Sequence, residues 1–329
     1  NGRKIFFDPN KTSDFVKNLV HENNVRSTRI IFHGGEPTLA PLADMYTFFE
    51  RTRHEVPQIQ FGIQTNLVYR LTPQKLQFFA DVLSEGGIGT SWDPKIRYGS
   101  SHPNLAIEEE KMWEANVRTL VAEGHALTLM VSLSKYIIEE YEPLQIIKYA
   151  IGLGIKYILF ERITTNGNAV TNNTILPRNI DVDQWLFKMY QQTIEHGLHQ
   201  HIGNMFLEEV AKSYLNGLHV ANRCRGCEQK IITINADGAL SGCPNSAAEV
   251  QWGNISEGTH AFLGHKLRIG AICKEQIRNA NCASCDVSDL CNGECYKLKW
   301  DGDVCSAPKT LMRFLKKNNV RESAKDLMI

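Results

Sequence analysis

The residues of this 329-residue chain that most clearly indicate chemistry are its nine cysteines, none of which precedes Cys224. Eight of them lie at short, regular spacings, which are Cys224-x2-Cys227, Gly238-x4-Cys243, Cys282-x2-Cys285-x5-Cys291-x3-Cys295 and a final Cys305. Thiolates this close in sequence can converge on a soft metal centre, because one turn of the chain presents two sulfur atoms side by side. The inventory is sufficient for two full sets of four thiolate ligands.

Three kinds of site use cysteines at such spacings. A disulfide framework is disfavoured because the number of cysteines is odd, the chain is long and no secretory segment is visible. This region alone favours structural zinc as much as an iron–sulfur centre, because paired C-x2-C elements are also typical of zinc ribbons. Cys273 lies outside the pattern, and we expect it to be a buried small hydrophobic residue.

The composition argues against several classes of partner. Lys+Arg and Asp+Glu are both 36, so the formal net charge is zero, and neither a nucleic-acid partner nor an electrostatic membrane anchor is indicated. No apolar run approaches the ~20 residues that span a bilayer. A cysteine-rich chain without a visible export signal indicates the reducing cytoplasm, where thiolates remain free to bind metal.

The rest of the chain alternates between predicted strands and helices. Apolar runs predict strands at Arg29–His33, Ile59–Gln64, Gly87–Trp92, Ala126–Leu133 and Ile155–Ile163. Segments between them have helical spacing; one helix has Thr72 as its predicted N-cap, and a later one Asp181. This alternation is typical of a parallel sheet with crossover helices, usually closed into a barrel whose chemistry lies at the carboxyl ends of the strands.

A change of composition near residue 220 predicts a domain boundary. Beyond it Gly, Asn, Asp and Cys become frequent and the elements become short, with a hairpin predicted to turn through Asp237-Gly238. We therefore predict a barrel domain over residues 1–220 and a small cysteine-rich domain over residues 221–329.

Two motifs together resemble those of a known superfamily. The sequence IFHGGEP at residues 31–37 is similar to the GGEP motif of radical S-adenosylmethionine (SAM) enzymes. The run Cys227-x10-Gly238-x4-Cys243, the following C-x2-C-x5-C-x3-C run and the final Cys305 resemble the SPASM extension of the branch that modifies peptides and proteins. The resemblance covers essentially the whole chain. It implies an α/β fold, a partial (β/α)6 TIM-like radical SAM barrel followed by a SPASM domain, and it favours iron–sulfur clusters over zinc.

The resemblance also implies how the thiolates are shared between two auxiliary [4Fe–4S] clusters. The first would be held by Cys224, Cys227, Cys243 and Cys295, and the second by Cys282, Cys285, Cys291 and Cys305. Cys291 and Cys295 would then serve different clusters and hold the two centres together.

The same resemblance implies a SAM site at the strand ends. Gly34-Gly35 would let the backbone approach the methionine part of SAM, and Glu36 would bind its amino group by a charge-assisted hydrogen bond. The other residues implied to contact SAM or substrate are Pro37, Thr65, Asn66, Ser91, Asp93, Ser132, Ser134 and Arg162. Among these, Ser134 is the first choice for the ribose hydroxyls and Ser132 the second. For each polar residue, a role in a turn or a cap is the alternative.

The motif that defines the superfamily, C-x3-C-x2-C, does not occur in this sequence. In relatives its three cysteines hold a third [4Fe–4S] cluster, which binds SAM and delivers the electron that cleaves it. We expect this motif, with the first strand, to lie on a segment before Asn1, and we expect the chain to be inactive without it. The alternative is a degenerate member that binds auxiliary clusters but forms no radical.

A second departure bears on the substrate. In anaerobic sulfatase maturases an aspartate directly follows the cysteine that matches Cys243, whereas here Pro244-Asn245 follows. An amide cannot accept a proton as a carboxylate does. The resemblance therefore favours maturation of a ribosomally made peptide, by a thioether or carbon–carbon crosslink or by epimerisation, over formylglycine formation in a sulfatase.

The resemblance thus predicts a radical SAM oxidoreductase whose 5′-deoxyadenosyl radical abstracts a hydrogen atom from a peptide. Its expected partners are a leader–core precursor peptide and an electron donor such as flavodoxin or ferredoxin. The alternative from a different class is a non-catalytic peptide-binding module stabilised by zinc or inert clusters. Two zinc ions per chain, with no iron or sulfide, would select the binding module.

Overall fold

The structure is a computed structural model, and it describes residues 6–26, 28–83, 87–96, 103–165, 169, 172–217, 225–245 and 250–328. Its central element is one six-stranded sheet whose strands follow one another in chain order. The strands are β1 (Arg29–Phe32), β2 (Gln60–Thr65), β3 (Ile88–Ser91), β4 (Leu127–Leu133), β5 (Tyr157–Arg162) and β6 (Gly203–Asn204). The described registers between these strands are parallel, so the predicted α/β class and parallel sheet are confirmed.

Helices follow the strands along the chain, as crossover connections require. They are α1 (Pro9–Glu22), α2 (Leu42–Glu55), α3 (Pro73–Val82), α4 (Pro103–Ala122), α5 (Lys135–Glu140), α6 (Pro143–Gly152), α7 (Asn179–Glu195), α8 (Met205–Asn216), α9 (Cys227–Lys230), α10 (Thr259–Leu263), α11 (Lys266–Gln276), α12 (Lys309–Asn318) and α13 (Arg321–Lys325). In the described part of the chain, no helix combines the length and the apolar character needed to cross a membrane.

Helices α3 and α7 begin in different ways. Helix α3 is capped by a neighbouring residue, whereas the start of α7 is bound by a residue far along the chain. Thr72 caps α3 as predicted, because its hydroxyl accepts a hydrogen bond of 3.3 Å from the backbone N–H of Lys75. The prediction that Asp181 caps α7 is wrong: the helix begins at Asn179, whose N–H donates to a carboxylate oxygen of Asp301 at 2.6 Å. A carboxylate from far along the chain satisfies this helix start, and no local pattern indicates it.

The chain divides into two compact units that alternate along the sequence. The first unit comprises Asn1–Thr90, Ile107–Leu127 and Glu228–Ile272, and the second comprises Ser91–Ala106, Thr128–Cys227 and Cys273–Ile329. This division does not test the predicted boundary near residue 220, which stays a prediction.

In the first unit, the N-terminal helix packs against residues from the cysteine-rich half of the sequence. Phe15 of α1 joins a buried cluster with Leu240, Trp252 and Phe262. Helix α1 also packs against α2. Burial of these large apolar side chains stabilises an association between segments that are distant in sequence.

The predicted hairpin forms in the first unit, where β7 (Thr233–Ile234) pairs with β8 (Leu240–Ser241) in antiparallel register. Gly238 lies in its turn with a φ of +82°, and a Cβ atom there would come within 3.0 Å of side-chain atoms of Asn254 and Ile255. The glycine of the cysteine pattern is therefore needed both for its left-handed backbone and for the space it leaves.

In the second unit, α12 is joined to α7 at its first turn. Asp183 of α7 accepts hydrogen bonds from the N–H (3.0 Å) and the hydroxyl (2.7 Å) of Thr310. One turn further, Phe314 packs against Phe187 and Tyr190. Because α12 follows Cys305 closely, these contacts fix the carboxyl end of the cysteine-rich segment.

Candidate cofactor and metal site

The Gly34-Gly35 turn after β1 faces open space. Gly34 has a φ of +126°, and a Cβ atom built on either glycine would meet no atom within 4 Å. A backbone without side chains beside a free volume allows a ligand to approach it closely. The turn therefore fits the predicted role beside the methionine part of SAM, and that role stays a prediction.

Glu36 lies at the centre of a hydrogen-bonded group at the ends of β1 and β2. Its Oε1 atom accepts bonds from the N–H (3.1 Å) and hydroxyl (2.8 Å) of Thr38 and from the hydroxyl of Thr65 (2.8 Å). Its Oε2 atom accepts one bond, from the N–H of Asn66 at 2.8 Å. Three of the predicted residues are thus brought together, and Oε2 keeps acceptor capacity for a cationic group.

Pro37 supports this group from the turn itself. It is buried and begins a short 3-10 helix, Pro37–Leu39, for which Glu36 is the N-cap. Proline suits the first helical position because its fixed φ is already helical and its missing N–H would have had no partner there.

Tyr69 and Asn116 complete the Glu36 group, and neither was predicted from the sequence. The Tyr69 hydroxyl lies 2.9 Å from the Thr65 hydroxyl, and burial, with the nearby Glu36 charge, raises the pKa of this phenol. The Asn116 amide donates to the backbone oxygens of Leu67 (2.8 Å) and Tyr69 (2.7 Å). Asn116 is polar on the buried face of α4, a signal that could have identified it.

The predicted residues at the ends of β3 and β4 lie in the second unit. Asp93 is buried and accepts a hydrogen bond of 2.9 Å from the N–H of Ser132, and Ser91 is buried as well. The Ser134 hydroxyl accepts from the N–H of Ile137 at 3.2 Å and so caps α5. The capping role anticipated as the alternative is observed for Ser134, and its role at the ribose stays a prediction.

Arg162 at the end of β5 binds residues of the cysteine-rich segment. Its guanidinium forms a salt bridge of 2.5 Å with Glu294 and donates to the backbone oxygen of Ser306 at 2.7 Å. The pair is largely buried, with 7% and 17% of the side chains exposed. Glu294 and Ser306 each adjoin a cysteine of the pattern, so Arg162 connects a strand end to the thiol-bearing loops. Its predicted contact with SAM or substrate stays a prediction.

The cysteines assigned to the second auxiliary cluster line one pocket, which we call the cysteine pocket: Cys282, Cys285, Cys291 and Cys305. All are free thiols. Burial, and then the charge of Glu294, raises the pKa of Cys291 to about 12. Within the described ranges, no three side chains of His, Cys, Asp or Glu stand close enough to share one metal ion. Four thiols around one pocket match the donor set of an iron–sulfur cluster, and the assignment stays a prediction.

The 291–295 loop is held from its backbone side by Arg225. This buried guanidinium donates to the carbonyl oxygens of Gly293 (3.0 Å), Glu294 (2.7 Å) and Ile277 (2.9 Å), and also to that of Glu275. Glu294 itself has a φ of +56°, a conformation that costs a non-glycine residue about 1 kcal/mol. Bonds to arginine on both its backbone and its side chain offset that strain.

The other predicted cysteine set is described only in part, because Cys224 lies outside the described residues. Two buried glutamates hold the backbone beside its members: Glu275 accepts from the N–H of Cys227 at 2.9 Å, and Glu228 accepts from the N–H of Cys243 at 3.2 Å. Neither glutamate was identified from the sequence. Cys295 is buried, and the arrangement of this set stays a prediction.

Cys273 corrects an expectation, because it is exposed on α11 rather than buried. Two positions further along the same helix, Glu275 is fully buried, where it receives the N–H of Cys227. The buried face of α11 therefore carries a polar residue with a defined partner. Residue type alone, with cysteine expected inside and glutamate outside, predicts the opposite face.

No family model and no curated protein matches this chain. Among solved structures, anSMEcpe with bound AdoMet and Kp18Cys peptide matches with a TM-score of 0.74 and 16% identity, over 99% of this chain and 92% of that one.

A second solved protein, SuiB of Streptococcus suis, matches in two states. Bound to S-adenosylmethionine, it has a TM-score of 0.55 and 14% identity, over 94% of this chain and 69% of that one. Bound to the precursor peptide SuiA, it has a TM-score of 0.57 and 14% identity, over 92% and 70%. The chain therefore has the fold of anSMEcpe and SuiB, and the fold class expected from the sequence is confirmed.

Proposed function

We propose that this chain is a peptide-modifying radical SAM enzyme of the SPASM type. The observation that carries the proposal is the Glu36 carboxylate, which is oriented by Thr38, Thr65 and Asn66 beside the open Gly34-Gly35 turn. That arrangement lies in a fold shared with anSMEcpe and SuiB, whose structures contain bound AdoMet or S-adenosylmethionine.

In this proposal, Glu36 binds the ammonium group of SAM through the acceptor capacity that remains on Oε2. The glycine turn admits the methionine part. Ser134, with Ser132 as the second choice, is proposed to bind the ribose hydroxyls, and Ser91 and Asp93 to contact the cofactor. SAM, when bound, would supply radical chemistry through its 5′-deoxyadenosyl group, and the protein would contribute orientation and exclusion of water.

The cysteines would hold two auxiliary [4Fe–4S] clusters, with the cysteine pocket as one site. Such clusters supply electron transfer, and their reduction potentials depend on nearby charges and hydrogen bonds. Arg162 and Arg225 place positive charge on the 291–295 loop, and the N–H of Gly293 donates to the Cys291 sulfur at 3.4 Å. These groups favour an anionic thiolate cluster. A flavodoxin or ferredoxin would supply the reducing electrons.

The proposed substrate is a ribosomally made precursor peptide. SuiB has been solved with its precursor peptide SuiA, and anSMEcpe with peptides. Asn245 and Pro244 follow Cys243 where a carboxylate would serve formylglycine formation. We therefore favour a thioether or carbon–carbon crosslink, or epimerisation, over sulfatase maturation.

The proposal is tested by anaerobic reconstitution, with iron and sulfide, of the full-length protein that includes the segment expected to carry the C-x3-C-x2-C motif, followed by incubation with SAM and a chemical reductant. We expect 5′-deoxyadenosine by liquid chromatography, and loss of this product in a Glu36→Gln variant that retains its iron. Absence of 5′-deoxyadenosine from fully loaded wild-type protein would refute the proposal, as would two zinc ions per chain without iron.

A further inference from the structure

The neighbouring Glu36 carboxylate determines which of Thr65 and Tyr69 donates the hydrogen bond between them. The two hydroxyl oxygens lie 2.9 Å apart, and either could donate. Thr65 has a single hydroxyl proton, and its oxygen also lies 2.8 Å from Oε1 of Glu36. An ionised carboxylate can only accept, so Thr65 donates to Glu36 and Tyr69 must donate to Thr65. The donors therefore run in one line from phenol to threonine to carboxylate.

The backbone around Tyr69 is held in place by specific bonds. Leu67 is fully buried with a φ of +52°, a left-handed conformation that is strained for leucine. Asn116 binds the carbonyl oxygen of the strained Leu67 itself and that of Tyr69, two residues further along. The Asn66 side chain accepts from the N–H of Val68 at 2.8 Å. Residues that keep a strained loop in one conformation are common beside binding sites.

The phenol ring of Tyr69 is fixed as firmly as its backbone. The Lys75 ammonium lies 4.0 Å from the ring centroid, at a distance suited to a cation–π interaction. Burial raises the pKa of the phenol, so it remains a donor throughout the neutral range. A buried hydroxyl that keeps its proton at neutral pH is suited to orienting its acceptor.

We infer that Tyr69 is a positioning residue of the SAM site, which acts through Thr65 to hold the Glu36 carboxylate with Oε2 available for an ammonium group. The inference rests on the proposed function, because it presumes that Glu36 receives the amino group of SAM. Tyr69 itself touches neither the cofactor nor the reacting atoms in this role. The effect of its hydroxyl should therefore appear only with ligands that carry the amino group.

The experiment compares two ligands on a Tyr69→Phe variant, which removes the hydroxyl and leaves the ring. Affinities for SAM and for 5′-methylthioadenosine, which lacks the amino-acid part, are measured by anaerobic calorimetry on the reconstituted protein. We expect SAM to bind about fivefold more weakly, the effect of one net hydrogen bond, and 5′-methylthioadenosine to bind unchanged. In a Glu36→Gln background, Tyr69→Phe should change SAM affinity less than about twofold, because the two residues act as one unit.

Tyr46→Phe is the matched control, because it removes a phenol hydroxyl from the same unit. The Tyr46 hydroxyl donates to Asp81 at 2.9 Å, away from the Glu36 group. This variant should bind both ligands as the wild type does. Thermal unfolding of each variant confirms that it is folded.

Several outcomes would overturn the inference about Tyr69 alone: unchanged SAM affinity in Tyr69→Phe, equal loss for both ligands, or a full additional loss in the Glu36→Gln background. Each would leave the proposed function standing, since wild-type protein would still bind SAM. Failure of the wild type to bind SAM would overturn both.

Discussion

The Glu36 group and the cysteine pocket are held in opposite ways. Around Glu36, donors from the adjacent strand ends bind the carboxylate directly, and Thr65 and Asn66 are already aligned on it. Around the cysteine pocket, arginines hold the 291–295 loop, and burial raises the pKa of one thiol, that of Cys291, to about 12. The Glu36 carboxylate already has its hydrogen-bond donors in place, whereas Cys291 must lose a proton, against its raised pKa, before it can bind a metal.

The difference indicates which substitutions should weaken ligand binding in each region. A carboxylate with its donors in place can receive a cation with little rearrangement, so its affinity depends on single hydrogen bonds. Thiols must lose protons before they bind metal, so loading of the cysteine pocket depends on charge and on the number of thiolates. A substitution in one region should therefore leave ligand binding in the other region unchanged.

The largest effect should come from Cys291→Ser, which removes one thiolate from the cysteine pocket. We expect reconstituted protein to lose about four iron atoms per chain, because a [4Fe–4S] cluster takes four thiolates, and peptide modification to stop. Iron and sulfide analysis measures the loss. Cys273→Ser makes the same change at an exposed cysteine outside the pocket and should leave the iron content unchanged. Equal iron content in the two variants would contradict the assignment of the pocket.

The next effect concerns the arginine that binds the cysteine-rich segment. Arg162→Ala leaves Glu294 largely buried without its partner, which should lower the free energy of unfolding by about 3 kcal/mol. Lys188→Ala is the control, because Lys188 and Glu142 form a pair with the same 2.5 Å separation but are each about half exposed. The free energy of unfolding of Lys188→Ala should fall by less than about 1 kcal/mol. Denaturant unfolding of the metal-free proteins measures both, and similar losses would show that burial of the Arg162 pair is unimportant.

A smaller effect is expected from Glu36→Gln, which neutralises the carboxylate while keeping its shape. Hydrogen bonds to a charged group contribute roughly 1.5–3 kcal/mol, so SAM affinity should fall at least about tenfold. The iron content of the cysteine pocket should not change, because Glu36 lies in the other unit. Calorimetry and iron analysis on the same sample provide the comparison. A parallel loss of iron would show that the two regions are not independent.

The smallest effect concerns the charge of Glu294 on Cys291. Because the pKa of Cys291 is raised, its thiol stays protonated until the pH approaches about 12, and alkylation of the metal-free protein should accelerate as the pH rises toward that value. Glu294→Gln removes one cause of the raised pKa and should speed alkylation of Cys291, by less than about tenfold, the factor for one pKa unit. Mass spectrometry of the modified cysteine gives the rate. A slower reaction in the variant would reverse the inferred sign.

Much of the Glu36 group could be predicted from the sequence because it is built from strand ends. Parallel strands place their carboxyl ends at one edge, so Glu36, Thr65 and Asn66 were expected together and are found together. Tyr69 and Asn116 were missed because the loop that joins them follows no periodicity. Its strained Leu67 is stable only in the presence of bonds from another helix.

The long-range contacts between polar groups could not be predicted from the sequence. The contact of Arg162 with SAM or substrate stays a prediction, but its bonds to Glu294 and Ser306, which lie far along the chain, were not predicted. The start of α7 depends in the same way on Asp301. Hydrophobic periodicity predicts which face of an element is buried, but it does not identify the partner of a charged residue.

The packing of Phe15 against Leu240, Trp252 and Phe262 has a consequence for biosynthesis. Helix α1 leaves the ribosome well before the residues that cover it, and at about 5–20 residues per second it waits roughly 10–50 s for Phe262 to be translated. Over that interval its apolar side is accessible to chaperones and to other nascent chains. Closure of the first unit is therefore a late event in biosynthesis, and the chain stays open to the insertion of inorganic cofactors until then.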